Sequence, residues 1–187
     1  TLLIAMRGFG ATVTWDGDTS TNWSNGANWV GGNPPGVGDD AVIDGGYTYA
    51  PTLDLSGGAT TIGSLSLGAN NTSLLTVANG DMSTRKLVVT SNATIGVNGV
   101  LRHADNSTAE THLLNVEVQR NLAVAAGGKI DVSALGYDKG WGPGAPGSRN
   151  GGSYGGRGGY NWNSGGTYST PYGSYLAPVN IGSGGGI

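Results

Sequence analysis

Residues 75–81 (LTVANGD), 93–101 (ATIGVNGVL) and 122–132 (LAVAAGGKIDV) share one cadence: apolar, any residue, apolar, then a small residue or Asn, then Gly and a return to an apolar position. Self-similarity of this kind is expected when successive coils of chain stack on one another. Around these segments, apolar pairs recur at period 2: Leu53 and Leu55, Leu65 and Leu67, Leu87 and Val89, Ile95 and Val97, Val116 and Val118, Ile130 and Val132. Period 2 places each pair on one face of a short strand. Strands this short make a weak two-sheet sandwich. They suffice in a parallel coil, where backbone pairing continues from rung to rung at about 4.8 Å. The pattern therefore predicts an all-β fold, a parallel β-helix (β-solenoid), with four to five coils of about 20 residues each.

Composition agrees with this reading. Among 187 residues, 37 are glycine, glutamate occurs only at Glu110 and Glu117, and lysine only at Lys86, Lys129 and Lys139. Glycine is far above the usual share of roughly 7%, and good helix formers are scarce, so almost no helix is expected. The chain has no cysteine, which excludes disulfides, thiolate metal sites and a cysteine nucleophile. A net charge of −3 with no basic run argues against nucleic acid as a partner.

Four parts follow from the pattern. Residues 1–12 open with the apolar run TLLIAM closed by Arg7, far below the roughly 20 residues that span a bilayer, so no membrane span is expected. Three readings of this run stay open. It is the end of a secretion signal cut before Ala11, an apolar strand pairing with a neighbouring subunit, or a first strand folded on its own domain. Residues 13–46 are turn-rich and carry Trp15, Trp23 and Trp29, which are expected to cover one end of the core as an N-terminal cap, a sugar-stacking platform being the alternative. Residues 47–137 hold the coils. The polar stretch 103–113 (HADNSTAETHL) interrupts them and is expected to loop out, with His103 and His112 solvated.

Residues 138–187 form a glycine-rich tract in which Trp141, Tyr154, Tyr160, Trp162, Tyr168, Tyr172 and Tyr175 alternate with Arg149 and Arg157. Rings and guanidinium groups at this density allow an ordered irregular lobe held by aromatic and cation–π contacts. The glycine content leaves disorder as the alternative.

The stretch TWDGDTSTNWSNGANWVGGNPPGVGDDAVIDGG resembles the W-x-G, NW, Pro, D-x-A-x-I signature at the start of large exported bacterial and archaeal surface proteins of the adhesin-like kind. The tract ending in YGSYLAPVNIGSGGG is similar to their glycine-rich insert. The resemblance implies export, a right-handed parallel β-helix and a place at the cell surface or in an extracellular appendage. It implies no particular ligand or reaction.

Candidate chemistry is thin. The two histidines share one polar stretch, whereas a Ser-His-Asp site needs one of them beside a serine on a sharp elbow, and the neighbouring aspartates Asp16 and Asp18, or Asp39 and Asp40, read as turn formers rather than a glycosidase pair. Arg85, Lys86, Arg102, Arg120 and Lys129 are not drawn together by any spacing into a lyase-type groove. No cofactor is expected. A structural calcium is possible at Asp16, Asp18, Asp39, Asp40 and Asp44, whose hard oxygens suit that ion, although the D-x-[DN]-x-[DN]-G loop is absent. Four N-x-[ST] sequons, at Asn22, Asn71, Asn92 and Asn106, are weak candidates for glycosylation.

The expectation is a non-enzymatic structural subunit of an extracellular fibre, sheath or surface layer. Its partners are other copies of itself, added strand to strand through Leu2, Leu3, Ile4 and Met6. The alternative is an adhesin-like module that stacks Trp141, Tyr160 and Trp162 on extracellular polysaccharide.

Overall fold

The computed structural model describes residues 10–147, 149–164 and 168–186. These residues fold into a parallel β-solenoid of about four turns, with an irregular lobe following it in the chain. The first full turn holds β1's neighbour β2 (Asp40–Ile43), β3 (Thr52–Asp54) and β4 (Thr60–Ile62), β1 itself (Thr12–Thr14) lying outside it. The second turn holds β5 (Ser64–Leu67), β6 (Ser73–Ala78) and β7 (Leu87–Val89), and the third β8 (Ala93–Ile95), β9 (Gly99–His103) and β10 (Val116–Val118). The fourth contributes β11 (Leu122–Val124) and β12 (Lys129–Ile130).

Each of the first three turns gives one strand to each of three sheets and the fourth gives one to each of two, the orders being β1-β2-β5-β8-β11, β3-β6-β9-β12 and β4-β7-β10, and every pairing between these strands is parallel. The registers line up apolar side chains in columns. Ala41, Leu65, Ala93 and Leu122 form one, and Ile43, Leu67, Ile95 and Val124 a second. Leu75, Leu101 and Ile130 form a third, and Ile62, Val89 and Val118 a fourth. Period 2 along each strand keeps these residues inside and the polar ones out. The core is thus a stack of aliphatic layers.

The turn length differs from expectation. Side chains one rung apart are 24 residues apart between Asp40 and Ser64, 28 between Asn70 and Asn98, and 29 between Asn92 and Asn121, against the 20 expected. The extra residues sit at the corners. One long corner runs from Asn79 to Lys86, where the Asp81 carboxylate accepts from the amides of Ser83, Thr84 and Arg85 and pairs with the Arg85 guanidinium at 2.8 Å. Val97 is a further correction: it lies in the turn between β8 and β9 and is exposed, so Ile95 and Val97 are not a strand pair.

Polar side chains also stack at the corners. Asp44 accepts from the amides of Asn70 and Asn71 and from the Asn70 side chain, and Asn98 in turn donates to the Asn70 carbonyl. Burial raises the Asp44 pKa, yet the donors of Asn71 and Asn70 outweigh it and hold the carboxyl below its usual range. At the same corner Gly68 has φ +67°, and a Cβ there would lie 2.3 Å from the Gly99 nitrogen. Only glycine fits.

The cap is as expected. Trp15, Trp23 and Trp29 are buried, with Trp29 edge-on to Trp15 at 5.0 Å and to Trp23 at 4.7 Å between ring centroids. Two of the indole nitrogens find acceptors: Trp15 Nε1 donates to the Tyr49 carbonyl and Trp29 Nε1 to the Trp23 carbonyl. Asn28, fully buried, ties the loop together by accepting from the amides of Thr19 and Ser20 and donating to Ser20 Oγ and the Asn22 carbonyl. Turn-forming residues are thereby folded over the first layer of the core. β1 begins at Thr12, one residue before the expected boundary, and residues 1–9 lie outside the described residues.

The lobe is held by turns and side-chain bonds rather than by sheet. Ser153 and Ser169 share a buried hydroxyl contact at 2.6 Å, Tyr154 meets Tyr172 edge-on at 5.2 Å, and Gly144 accepts Ser153's amide. Hydrogen bonds join it to the long loop between β9 and β10, where Glu110 Oε1 accepts from the Asn180 side chain. The Asp138 amide donates to the Ser107 carbonyl, and the Ile181 amide to Glu110 Oε2 at 2.8 Å.

Candidate functional site

The two ends of the solenoid differ in kind. At the end bearing β1, the Trp cluster and the 13–46 loops cover the core. At the other end, the columns run out. Leu122, Val124 and Ile130 are 49%, 46% and 45% exposed, while the residues beneath them, Ala93, Ile95 and Leu101, are buried. A cavity of about 230 Å³ opens there, lined by Leu101, Leu114, Val116, Leu122 and Ile130 among others. Among the described residues, the strands β10, β11 and β12 are each outermost in their sheets, and no further strand pairs with their outer edges beside that apolar mouth. This end is the candidate interaction site.

Glycan-stacking candidates are divided by the fold. Tyr160 lies edge-on to Trp162 at 6.4 Å and tilted against Tyr168 at 4.7 Å, and the Arg157 guanidinium sits 5.4 Å from the Tyr168 ring centroid. Trp162 is 86% exposed. Trp141 stands on a different turn, its backbone bonded to Asp138 and Gly184, and no ring contact joins it to that cluster. Tyr168 belongs with Tyr160 and Trp162. Its six-residue separation from Trp162 gives no periodic signal.

The histidines correct the sequence reading. His103 is 4% exposed and ends β9, where its register continues the inward column of Leu53 and Val77. Its alternation with Gly99 and Leu101 carried that signal. The His103 ring bonds the Ala104 carbonyl, and His112 Nδ1 accepts from the Asn79 amide at 2.9 Å. Both rings serve corners of the coil rather than solvent. Burial lowers the His112 pKa, and His103 lowers it further, against opposing pulls from Asp54 and Asp105.

A pH dependence follows. Because the folded state disfavours His112 protonation relative to an unfolded value of about 6.5, this group's stabilisation is complete above that pH and is lost as pH falls through the lower folded-state value. The urea midpoint is expected to drop between pH 8 and pH 5, and to drop less in His112→Gln, whose amide oxygen can still accept from Asn79. Equal drops in both proteins contradict this assignment.

The stretch 103–113 does leave the coil, but around a buried residue. Asn106, 1% exposed, donates through Nδ2 to the carbonyls of His112 and Leu135 and accepts through Oδ1 from the amides of Thr111 and His112. Asn22, Asn71 and Asn92 are exposed. The Asn71 side-chain nitrogen, like that of Asn106, is engaged, donating to the Asp44 carbonyl. The folded chain therefore commits two of the four sequon nitrogens to its own structure.

The carboxylates considered for calcium are spread over the cap and corners. Asp39 accepts from the amides of Gly36 and Ala11, which lower its pKa, and Asp40 accepts from Ser64 Oγ at 2.6 Å. Asp44 is occupied as described, Asp18 is exposed, and Asp16 Oδ1 is buried without a hydrogen bond. Among the described residues no three acidic or histidine side chains gather where a metal ion fits. Of the basic residues, Arg85 pairs with Asp81 and Lys86 with Glu117 at 2.6 Å, and Arg102 donates to Thr76 Oγ1. Leu2, Leu3, Ile4 and Met6 lie outside the described residues.

No family model matches the chain, and no curated protein or solved structure matches it. Among the described residues no helix is long and apolar enough to cross a membrane.

Proposed function

We propose that this protein is a non-enzymatic structural subunit of an extracellular fibre, sheath or surface layer, assembling by β-strand addition between copies. The observation that carries the reading is the open end of the solenoid, where β11 and β12 leave backbone edges unpaired and Leu122, Val124 and Ile130 half-exposed. An unpaired edge beside apolar surface is a template for another strand unless something covers it. The opposite end carries a Trp-built cap, so the two ends are not alike, and a contact between unlike ends propagates as a filament where its rotation does not close a ring. The exterior location rests on the resemblance of the 13–46 segment and the glycine-rich tract to exported surface proteins. Leu2, Leu3, Ile4 and Met6 are the donor residues in this reading. A variant lacking residues 1–6 is expected to sediment as a monomer where the full chain forms large species. Unchanged sedimentation of the truncated chain contradicts donor-strand assembly.

A second reading has its own observation, the exposed Trp162 beside Tyr160 and Tyr168. Exposed rings of this kind present apolar faces on which a sugar stacks. In that reading the protein is a carbohydrate-binding module of the cell surface, with Trp141 a separate contact. A glycan array is expected to give a signal that falls at least tenfold in the Trp141→Ala, Trp162→Ala double variant. Undiminished binding excludes the aromatic platform.

A further inference from the structure

We propose that the acceptor for assembly is the outer edge of β11, and that its occupant is the apolar run of a second copy of this chain, lying with Leu2, Ile4 and Met6 inward and Leu3 outward. This rests on the assembly reading and specifies both partners of the contact.

The acceptor is defined by what its columns lack. Two inward columns of the five-stranded sheet end at Leu122 and Val124, and the neighbouring column ends at Ile130. The cavity beside them is walled by aliphatic side chains. It offers water few of the two to four polar partners that a buried molecule needs. Apolar side chains on one further rung would continue the columns and bury the half-exposed trio.

The donor has the matching period. In TLLIAM, residues 2, 4 and 6 are Leu, Ile and Met, and the intervening 3 and 5 are Leu and Ala. Paired as a strand, alternate residues fall on opposite faces, so one face is uniformly large and apolar. Its backbone supplies the ladder bonds that the β11 edge leaves open.

Reach decides whose segment it is. From β1 to a rung added beyond β11 there are five strand spacings, about 24 Å in all. From Thr12 back to Met6 the chain has six residue steps and spans at most about 22 Å when fully extended. A molecule's own apolar run falls short of its own acceptor even before the turn needed to align it. A second copy presented end to end has no such limit. Donor and acceptor are then different segments of each subunit, a heterologous contact that propagates as a filament where its rotation does not close a ring.

The chain's lack of cysteine makes the test direct. Ala123 pairs with Thr94 and faces away from the core, as Leu3 does in the proposed rung. Both are central in their segments. Adjacent strands place such residues within the 4.4–6.8 Å Cα separation, roughly, that a disulfide bridges. Mixing Leu3→Cys protein with Ala123→Cys protein under mild oxidation is expected to give the mixed dimer as the main covalent product, and the double variant a ladder of covalent oligomers. Leu3→Cys mixed with Thr12→Cys is expected to give neither. Val124→Arg, checked for fold by circular dichroism, is expected to abolish assembly, and Leu3→Ser to retain it. Assembly by the full chain without the Leu3–Ala123 cross-link, and unaffected by Val124→Arg, overturns this acceptor while leaving the assembly reading standing. A chain that neither assembles nor cross-links overturns both.

Discussion

Trp29→Ala is expected to destabilise the protein by about 3–5 kcal/mol, the range for truncating a large buried aromatic side chain. Trp29 is the middle ring of the cap, edge-on to both Trp15 and Trp23, and its indole nitrogen donates to the Trp23 carbonyl at 2.7 Å. Truncation therefore removes two aromatic contacts, leaves a buried carbonyl without its donor and opens a void above the first aliphatic layer. In a solenoid each layer is stabilised chiefly by its neighbours, so the loss should appear first at Ala41 and Ile43, as reduced amide protection in hydrogen exchange. Trp162→Ala is the control. With that ring largely in solvent, the urea-derived stability should stay within about 0.5 kcal/mol. A Trp29→Ala loss below 1 kcal/mol or so would mean that the cap does not hold the core.

Asn106→Ala is expected to cost about 2–4 kcal/mol, because four hydrogen bonds disappear at a buried site and each unsatisfied group left behind costs on the order of 1–3 kcal/mol before water or relaxation recovers part of it. The effect should spread beyond the loop. Asn106 positions the segment whose Ser107 carbonyl and Glu110 carboxylate receive the amides of Asp138 and Ile181 from the lobe. Faster amide exchange at Ile181 is the expected signature, measured by mass spectrometry on the intact chain. Asn106→Asp should also destabilise at neutral pH, since a carboxylate keeps the two acceptor roles but faces the carbonyls of His112 and Leu135 with no donor. Protection at Ile181 equal to wild type in both variants would show that loop and lobe are independent.

Strand identity was legible where chemistry and period agreed. Leu65 with Leu67 and Leu87 with Val89 alternate with polar or outward residues and sit in the core as read. Trp15, Trp23 and Trp29 were legible as a cap because three large rings amid turn residues have no other surface to cover. Corner lengths were not legible. The Asp81 turn and the 103–113 excursion add residues without adding apolar positions, so a count of apolar pairs compresses the repeat. Val97 shows the converse failure, since an apolar residue two positions after Ile95 mimics a strand, while Gly96 and Asn98 turn the chain between them. The burial of Asn106 and of His103 was not legible, for one reason. Residue type suggests solvent, and only the three-dimensional register shows that a polar side chain closes bonds inside. At the open end, Leu122, Val124 and Ile130 repeat the inner cadence. Nothing in that cadence marks them as the last layer.

The measurement that bears most directly on the central claim is negative-stain electron microscopy of the purified full chain, without added ligand. Assembly by strand addition at the open apolar edge predicts regular filaments or sheets whose repeat matches the length of one capped solenoid. A field of dispersed single particles, at concentrations where the chain is folded, would contradict assembly by strand addition.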